Sequence, residues 1–121
     1  MIINCAGVTA IDYAKSHQKE TQTINVDVVS ELAIWSQKNK ARLIQFSSDF
    51  VFEGEKECYS ESDSTNPISY YGKSKLLSEQ VALSVGNLVV IRTSLVYGYS
   101  ENLSRLNFPL WLIEKLKKIR N

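Results

Sequence analysis

Tyr71 and Lys75 stand four residues apart in "PISYYGKSKLLSE" (67–79), so on a helix they share one face and can meet the same ligand. A tyrosine serves as a general acid when its pKa, about 10 if unperturbed, is brought nearer to neutrality, and a close ammonium does this by stabilising the phenolate. The pair therefore has the makings of a proton-donating device. By the same spacing Tyr70 pairs with Ser74, and Lys73 points elsewhere. A solvated surface pair has identical spacing, so a third group is needed to separate the two readings. Ser48 supplies it: the residue ends "RLIQFSS" (42–48), and a hydroxyl at a strand's C-terminal end can hydrogen-bond a substrate carbonyl beside the tyrosine. Ser48 could equally cap the turn that follows it. The three together, on a strand end and a helix in that order, are far more specific than any one alone.

The elements that must position them alternate in type. "MIINCAG" (1–7) reads as a short buried strand that runs into a small-residue turn at Asn4, Cys5, Ala6 and Gly7. From Asp12 to about Asn39 the apolar residues Ile24, Val28, Leu32 and Trp35 recur at helical spacing, with Val29 and Ala33 beside them. One long helix is expected there, with room for a short one before it. "RLIQFSS" is a second strand, closed by Ser47, Ser48 and Asp49. The stretch 50–66 is acidic and glycine-punctuated and reads as surface loop. Pro67 and Ser69 are helix-start residues, Leu76, Leu77 and Val81 form the apolar stripe of the helix that follows, and Gly86 is its stop. "LVVIRTSLVYG" (88–98) has the continuous apolar character of a strand buried on both faces. A polar turn at 99–104 leads to a last helix, "LNFPLWLIEKLKKIR" (106–120), whose basic end suits the helix dipole.

Strands that alternate with helices imply parallel pairing and right-handed crossovers, hence an α/β fold with a three-stranded parallel sheet and flanking helices. A sheet of three apolar parallel strands has edges that must be covered, which suggests one half of a larger α/β fold or association with a partner. In such sheets ligands bind beyond the carboxyl ends of the strands. Here those ends carry Asn4 to Gly7, Ser47 to Asp49, and Arg92 to Ser94, and the helix bearing Tyr71 starts within reach of the same rim.

Bulk properties narrow the class of partner. In 121 residues, 44% are hydrophobic and 22% charged, enough for a packed single domain. Fourteen basic against thirteen acidic residues give a formal charge of +1, too weak a field to make nucleic acid or an anionic membrane the main partner. Cys5 and Cys58 form no disulfide framework, and no metal site is expected. With no stretch near the ~18 apolar residues of a membrane span and no signal-peptide pattern, a cytoplasmic protein is expected. On that expectation the Asn102-Leu103-Ser104 glycosylation pattern is a chance match.

"FSSDFVFEG", "YSESDSTNPISYYGKSKLLSE" and "VIRTSLVYG", in that order, resemble the short-chain dehydrogenase/reductase superfamily and, within its sugar-nucleotide branch, the dTDP-4-dehydrorhamnose reductase family. "INCAG" resembles that family's strand-end motif, and "INV" (24–26) its helical asparagine. The resemblance implies a partial Rossmann-like fold and NAD(P)H-dependent reduction of a 4-keto-6-deoxy sugar nucleotide. In that reading Tyr71 is the proton donor, Lys75 lowers its pKa and bonds the nicotinamide ribose, and Ser48 orients the substrate. Asn4, Cys5, Ala6 and Gly7 would lie along the dinucleotide, Arg92, Thr93 and Ser94 would close the nicotinamide end, and Asn25 and Asp49 would support the site. Asn25 could otherwise be a helix residue facing solvent.

The family's glycine-rich turn is missing: the closest glycines, Gly86 and Gly98, are 12 positions apart. The resemblance therefore implies that residues 1–121 are the central and C-terminal part of an NAD(P)-binding Rossmann domain, without its phosphate cradle and most of its substrate domain, and that the isolated chain is inactive. It leaves NADPH or NADH as cofactor at family level, with binding by this chain opposed by the missing turn, and a homodimer among the partners it admits. The alternatives are another sugar-nucleotide epimerase or dehydratase, of which Phe50 opposes the dehydratase because dehydratases tend to carry glutamate there, and a non-catalytic reductase-like regulatory subunit.

Overall fold

The computed structural model describes residues 1–86, 88–98 and 107–119. Strands β1 (Ile2–Asn4), β2 (Leu43–Ser48) and β3 (Leu88–Thr93) pair in parallel in the order β1-β2-β3. The register sets Ile3 beside Ile44, and Ile44, Phe46 and Ser48 beside Val89, Ile91 and Thr93. Helices fill both crossovers, so the expected α/β architecture with a three-stranded parallel sheet is present. The 99–104 turn, the Asn102 pattern and the ends of the last helix at Leu106 and Arg120 lie outside the described residues. Among the described residues no helix is long and apolar enough to cross a membrane.

The stretch from Asp12 to about Asn39, expected as one long helix with room for a short one before it, is divided into α1 (Ile11–Ser16), α2 (Gln18–Gln22), a π-helical turn (Thr23–Asp27) and α3 (Val28–Lys38). His17, at φ −121° and ψ 53°, separates the first two. The π turn widens one helical turn by a residue and so rotates α3 relative to α2. The large apolar stripe is not the core face: Trp35 is 53% exposed and Val28 is also exposed, whereas Val26, Val29, Ala33 and Ser36 are buried. Small side chains at that contact let α3 lie close against the next helix.

That helix, α4 (Tyr70–Leu83), begins where Ser69 Oγ accepts a hydrogen bond from Gly72 N at 3.0 Å, and Gly86 beyond its end has φ +72°. Both end signals in the sequence are realised. The expected stripe is not the packed face, however, for Leu77 is exposed and Leu76 and Val81 are half-buried. Tyr71, Ser74, Lys75, Ser78, Glu79 and Ala82 are the buried side chains instead. A helix face this polar can be buried only because most of its groups find partners.

α3 and α4 cover the sheet face that carries Leu43, Gln45 and Ser47. The opposite face, with Ile3, Ile44, Phe46, Val89 and Ile91, carries no helix among the described residues, and Ile3 is 52% exposed. β3 is therefore buried on one face, not on both. The last helix, α5 (Phe108–Ile119), likewise leaves Phe108, Trp111, Ile113 and Leu116 exposed.

The stretch 50–66 is more ordered than a plain surface loop. A 3-10 turn at Asp49–Val51 buries Val51 completely, and Asn66 N donates to Val51 O at 3.0 Å. Tyr59 stacks on Phe52 with centroids 4.2 Å apart, and its hydroxyl accepts from the backbone N–H groups of Gly54, Glu55 and Lys56 at 3.1, 3.0 and 3.2 Å. α4 rests directly on the 3-10 turn. A Cβ at Gly72 would overlap the Phe50 carbonyl oxygen and come within 3.0 Å of Pro67 Cβ. We expect Gly72→Ala to lower stability by about 2 kcal/mol or more, as overpacking against backbone does, measured as a lower urea midpoint with an unchanged slope.

Candidate active site

α4 separates its two tyrosines at once. Tyr70, which spacing paired with Ser74, instead donates its hydroxyl proton to Gln18 O at 3.1 Å and pins α4 to the α1–α2 junction. Tyr71 turns inward beside Ser48 and Asp49, is 8% exposed, and meets the Phe50 ring edge-on at 5.8 Å. Lys73 is exposed, as expected. One turn further, Lys75 is 7% exposed and its ammonium donates to Phe46 O on β2 at 2.5 Å.

Of the two roles that its position suggests, Ser48 shows the cap. Its Oγ accepts from Phe50 N at 3.2 Å, capping the 3-10 turn, and donates to Asp49 Oδ1 at 3.0 Å. It also lies close enough to Tyr71 to favour the ionised phenol, while burial and the charge of Asp49 oppose it. Burial is the largest effect and holds the Tyr71 pKa above its ordinary value. By its spacing from Tyr71, Lys75 is expected to lower that pKa. Here the ammonium is engaged by the Phe46 carbonyl, and burial lowers the lysine's own pKa against the opposing field of Glu79.

Asn25 sits on the π turn and is buried, not solvent-facing. Its Oδ1 accepts from Val8 N at 2.8 Å, and its Nδ2 donates to Val8 O at 3.1 Å and to Ser74 Oγ at 2.9 Å. Ser74 in turn donates to Tyr71 O at 2.7 Å. One asparagine thus joins the segment after β1 to the turn of α4 that carries Tyr71. The π turn supplies the geometry, since the widened backbone points Asn25 at both neighbours.

At the end of β1, Asn4 accepts from Ala6 N at 3.1 Å and donates to Gln45 Oε1 at 2.8 Å, and Gln45 Nε2 donates to Phe46 O at 3.0 Å. The Phe46 carbonyl therefore receives both Gln45 and Lys75. Cys5, Ala6 and Gly7 are exposed beyond that strand end, and a Cβ on Gly7 would come within 3.2 Å of Asn25 Oδ1. On β3, Thr93 is paired in register with Ser48 and bonds Ser47 O at 3.3 Å, and Ser94 is exposed.

Arg92 is placed differently from its neighbours. Its Nε and terminal amine grip Glu79 at 2.9 and 2.7 Å, and its guanidinium lies 5.1 Å from the centroid of the Phe52 ring. Beside it, a cleft of about 430 Å³ is bounded by Asp49, Phe52, Lys56, Tyr59, Arg92 and Ser94. Sequence reasoning missed Gln45 and Glu79. The signal for Gln45 was a lone amide inside an otherwise apolar strand, and for Glu79 a carboxylate one turn after Lys75.

The RmlD substrate binding domain family matches residues 1–120. The dTDP-4-dehydrorhamnose reductase of Sinorhizobium fredii is 41% identical over 105 residues, covering 84% of this chain and 36% of its own length. Methionine adenosyltransferase 2 subunit beta of Bos taurus is 37% identical over 105 residues, covering 85% and 31%. The solved dTDP-4-dehydrorhamnose reductase of Bacillus anthracis, in complex with NADP, is similar with a TM-score of 0.87 and 33% identity, over 97% of this chain and 41% of that one. The chain thus spans about a third to two fifths of the length of the proteins it matches.

Asn25→Ala strips partners from the Val8 backbone and from buried Ser74 in one step. We expect a loss of about 2 to 3 kcal/mol in chemical denaturation, together with faster amide hydrogen exchange at Val8 than at sheet amides.

Proposed function

The chain belongs to the RmlD substrate binding domain family, and on that premise we propose that it carries the reduction site of an NAD(P)H-dependent reductase of a 4-keto-6-deoxy sugar nucleotide. The observation that carries this reading is the burial of Tyr71 and Lys75 on one face of α4 with Ser48 beside the phenol. Burial keeps Tyr71 protonated at neutral pH, the state a proton donor must start from. Its hydroxyl gives that proton to the keto oxygen as hydride reaches the keto carbon, so the carbonyl becomes an alcohol and Tyr71 is left as phenolate. Ser48 is the hydrogen-bonding group beside that phenolate, and the Lys75 ammonium is the cation on the same helix face.

A reduced nicotinamide dinucleotide, when bound, supplies the hydride. Cys5, Ala6 and Gly7 suit its approach, because they are small and exposed, and a Cβ on Gly7 would crowd Asn25 Oδ1 at 3.2 Å. Lys75 would reach its ribose, and Thr93 and Ser94 would close the nicotinamide end. The guanidinium of Arg92 is already committed to Glu79, which leaves that end to the two hydroxyls. Residues 1–121 correspond in this reading to the central and C-terminal part of a Rossmann domain, inactive when isolated because they contain no glycine-rich turn.

A non-catalytic role, as one subunit of another enzyme, has one observation in its favour, the 37% identity to methionine adenosyltransferase 2 subunit beta. The two readings separate in a chimera that joins this chain to the remaining segments of a dTDP-4-dehydrorhamnose reductase. Turnover of the keto sugar nucleotide that Tyr71→Phe lowers by about 100-fold or more, with cofactor affinity unchanged, supports catalysis, and equal turnover by both forms would sink it. For the isolated chain, calorimetry with NADPH should give no micromolar binding, and a micromolar dissociation constant would overturn the proposed incompleteness.

A further inference from the structure

Tyr71, Lys75 and Glu79 recur at four-residue intervals along the buried face of α4. Glu79 is 2% exposed, and it is gripped from β3 by the two-pronged bond of Arg92 at 2.9 and 2.7 Å. The helix therefore buries a cation and an anion one turn apart, with a second cation closing the row. Such a row is stable only when neighbouring charges offset one another.

We propose that Glu79, held by Arg92, is a positioning residue for the Tyr71–Lys75 pair, acting as the buried counter-ion that keeps the Lys75 side chain charged. This rests on reading Tyr71 and Lys75 as the proton-donating pair, and it adds two residues that touch neither substrate nor cofactor. Lys75 donates to the Phe46 carbonyl on β2 and feels the charge of Glu79 one turn on along its own helix, while Asp49 on the 3-10 turn acts on Tyr71. Arg92 faces Lys75 from β3 through Glu79, and Glu61 of the loop bears on Arg92. Among these groups the carboxylate acting on Lys75 is Glu79, and burial works against the ammonium. Arg92 has two effects. It fixes the carboxylate in place, and it offsets part of its negative field.

The substitutions at the two ends should therefore act in opposite directions, which a merely structural role would not produce. The test is an NMR pH titration of the intact chain labelled with ¹³C at lysine Cε, with the Lys75 signal assigned by its loss in Lys75→Arg. Glu79→Gln should lower the Lys75 pKa by about one unit or more, and Arg92→Met should raise it, because the carboxylate is then no longer offset. Arg92→Lys, which keeps the charge, should stay close to the native chain, and Glu61→Gln should leave Lys75 unmoved. If Glu79→Gln fails to fold, Glu79→Asp replaces it and should lower the pKa by a smaller amount; if Arg92→Met fails to fold, Arg92→Gln replaces it and should likewise raise the pKa. Shifts of the same sign at both ends, or none in Glu79→Gln or Glu79→Asp, overturn the proposal. The titration needs neither cofactor nor turnover, so its failure would leave the reductase reading standing. Loss of that reading would in turn leave the titration intact.

Discussion

An ammonium and a carboxylate taken out of water on one face of a helix cost several kcal/mol each unless they are paired in good geometry. α4 accepts that cost with Lys75 and Glu79, and much of the structure follows from the need to meet it. β2 must bring the Phe46 carbonyl under Lys75, and β3 must bring Arg92 opposite Glu79. The parallel register that sets Ser48 beside Thr93 and Ser47 beside Arg92 achieves both at once. The pairing is not complete along the row, since the buried hydroxyls of Ser47 and Ser78 find no partner among the described residues. Their loss is small beside that of an unpaired ion.

The same face explains which features were legible in the sequence. The alternation of strands and crossover helices, the Ser69 and Gly86 signals and the shared face of Tyr71 and Lys75 follow from periodicity, cap chemistry and four-residue spacing. The packed faces of α3 and α4 do not, because hydrophobicity marks the residues that would bury cheaply, whereas here small and polar residues are buried by mutual pairing. Trp35 and Leu77 lie outside while Ser36 and Ser78 lie inside. No local pattern announces the π turn either. Asn25 in a helical run reads as an ordinary polar residue until the widened turn points its amide at Val8 and Ser74.

A second limit on legibility lies in the loop at 50–66. Its acidic composition suggests solvation, yet Tyr59 organises it by offering one oxygen to three successive amides. That arrangement depends on Gly54 at φ +86°, which lets the backbone curl round the phenol. The residues of β3 have the apolar character of a strand covered twice, but Val89 and Ile91 meet no second layer among the described residues. Parallel sheets ordinarily have both faces covered, so this face is an energetic liability for the chain by itself.

The contact between Gly72 and the Phe50 carbonyl governs motion as much as packing. Because backbone rests on backbone there, no side chain lies between the start of α4 and the 3-10 turn to act as a compressible spacer. Rotamer changes, the cheapest movement available to a folded protein, therefore cannot alter the separation of these two segments. The phenol of Tyr71 and the hydroxyl of Ser48 are carried on what is mechanically a single rigid piece, and any adjustment to a ligand must come from the partners that surround it.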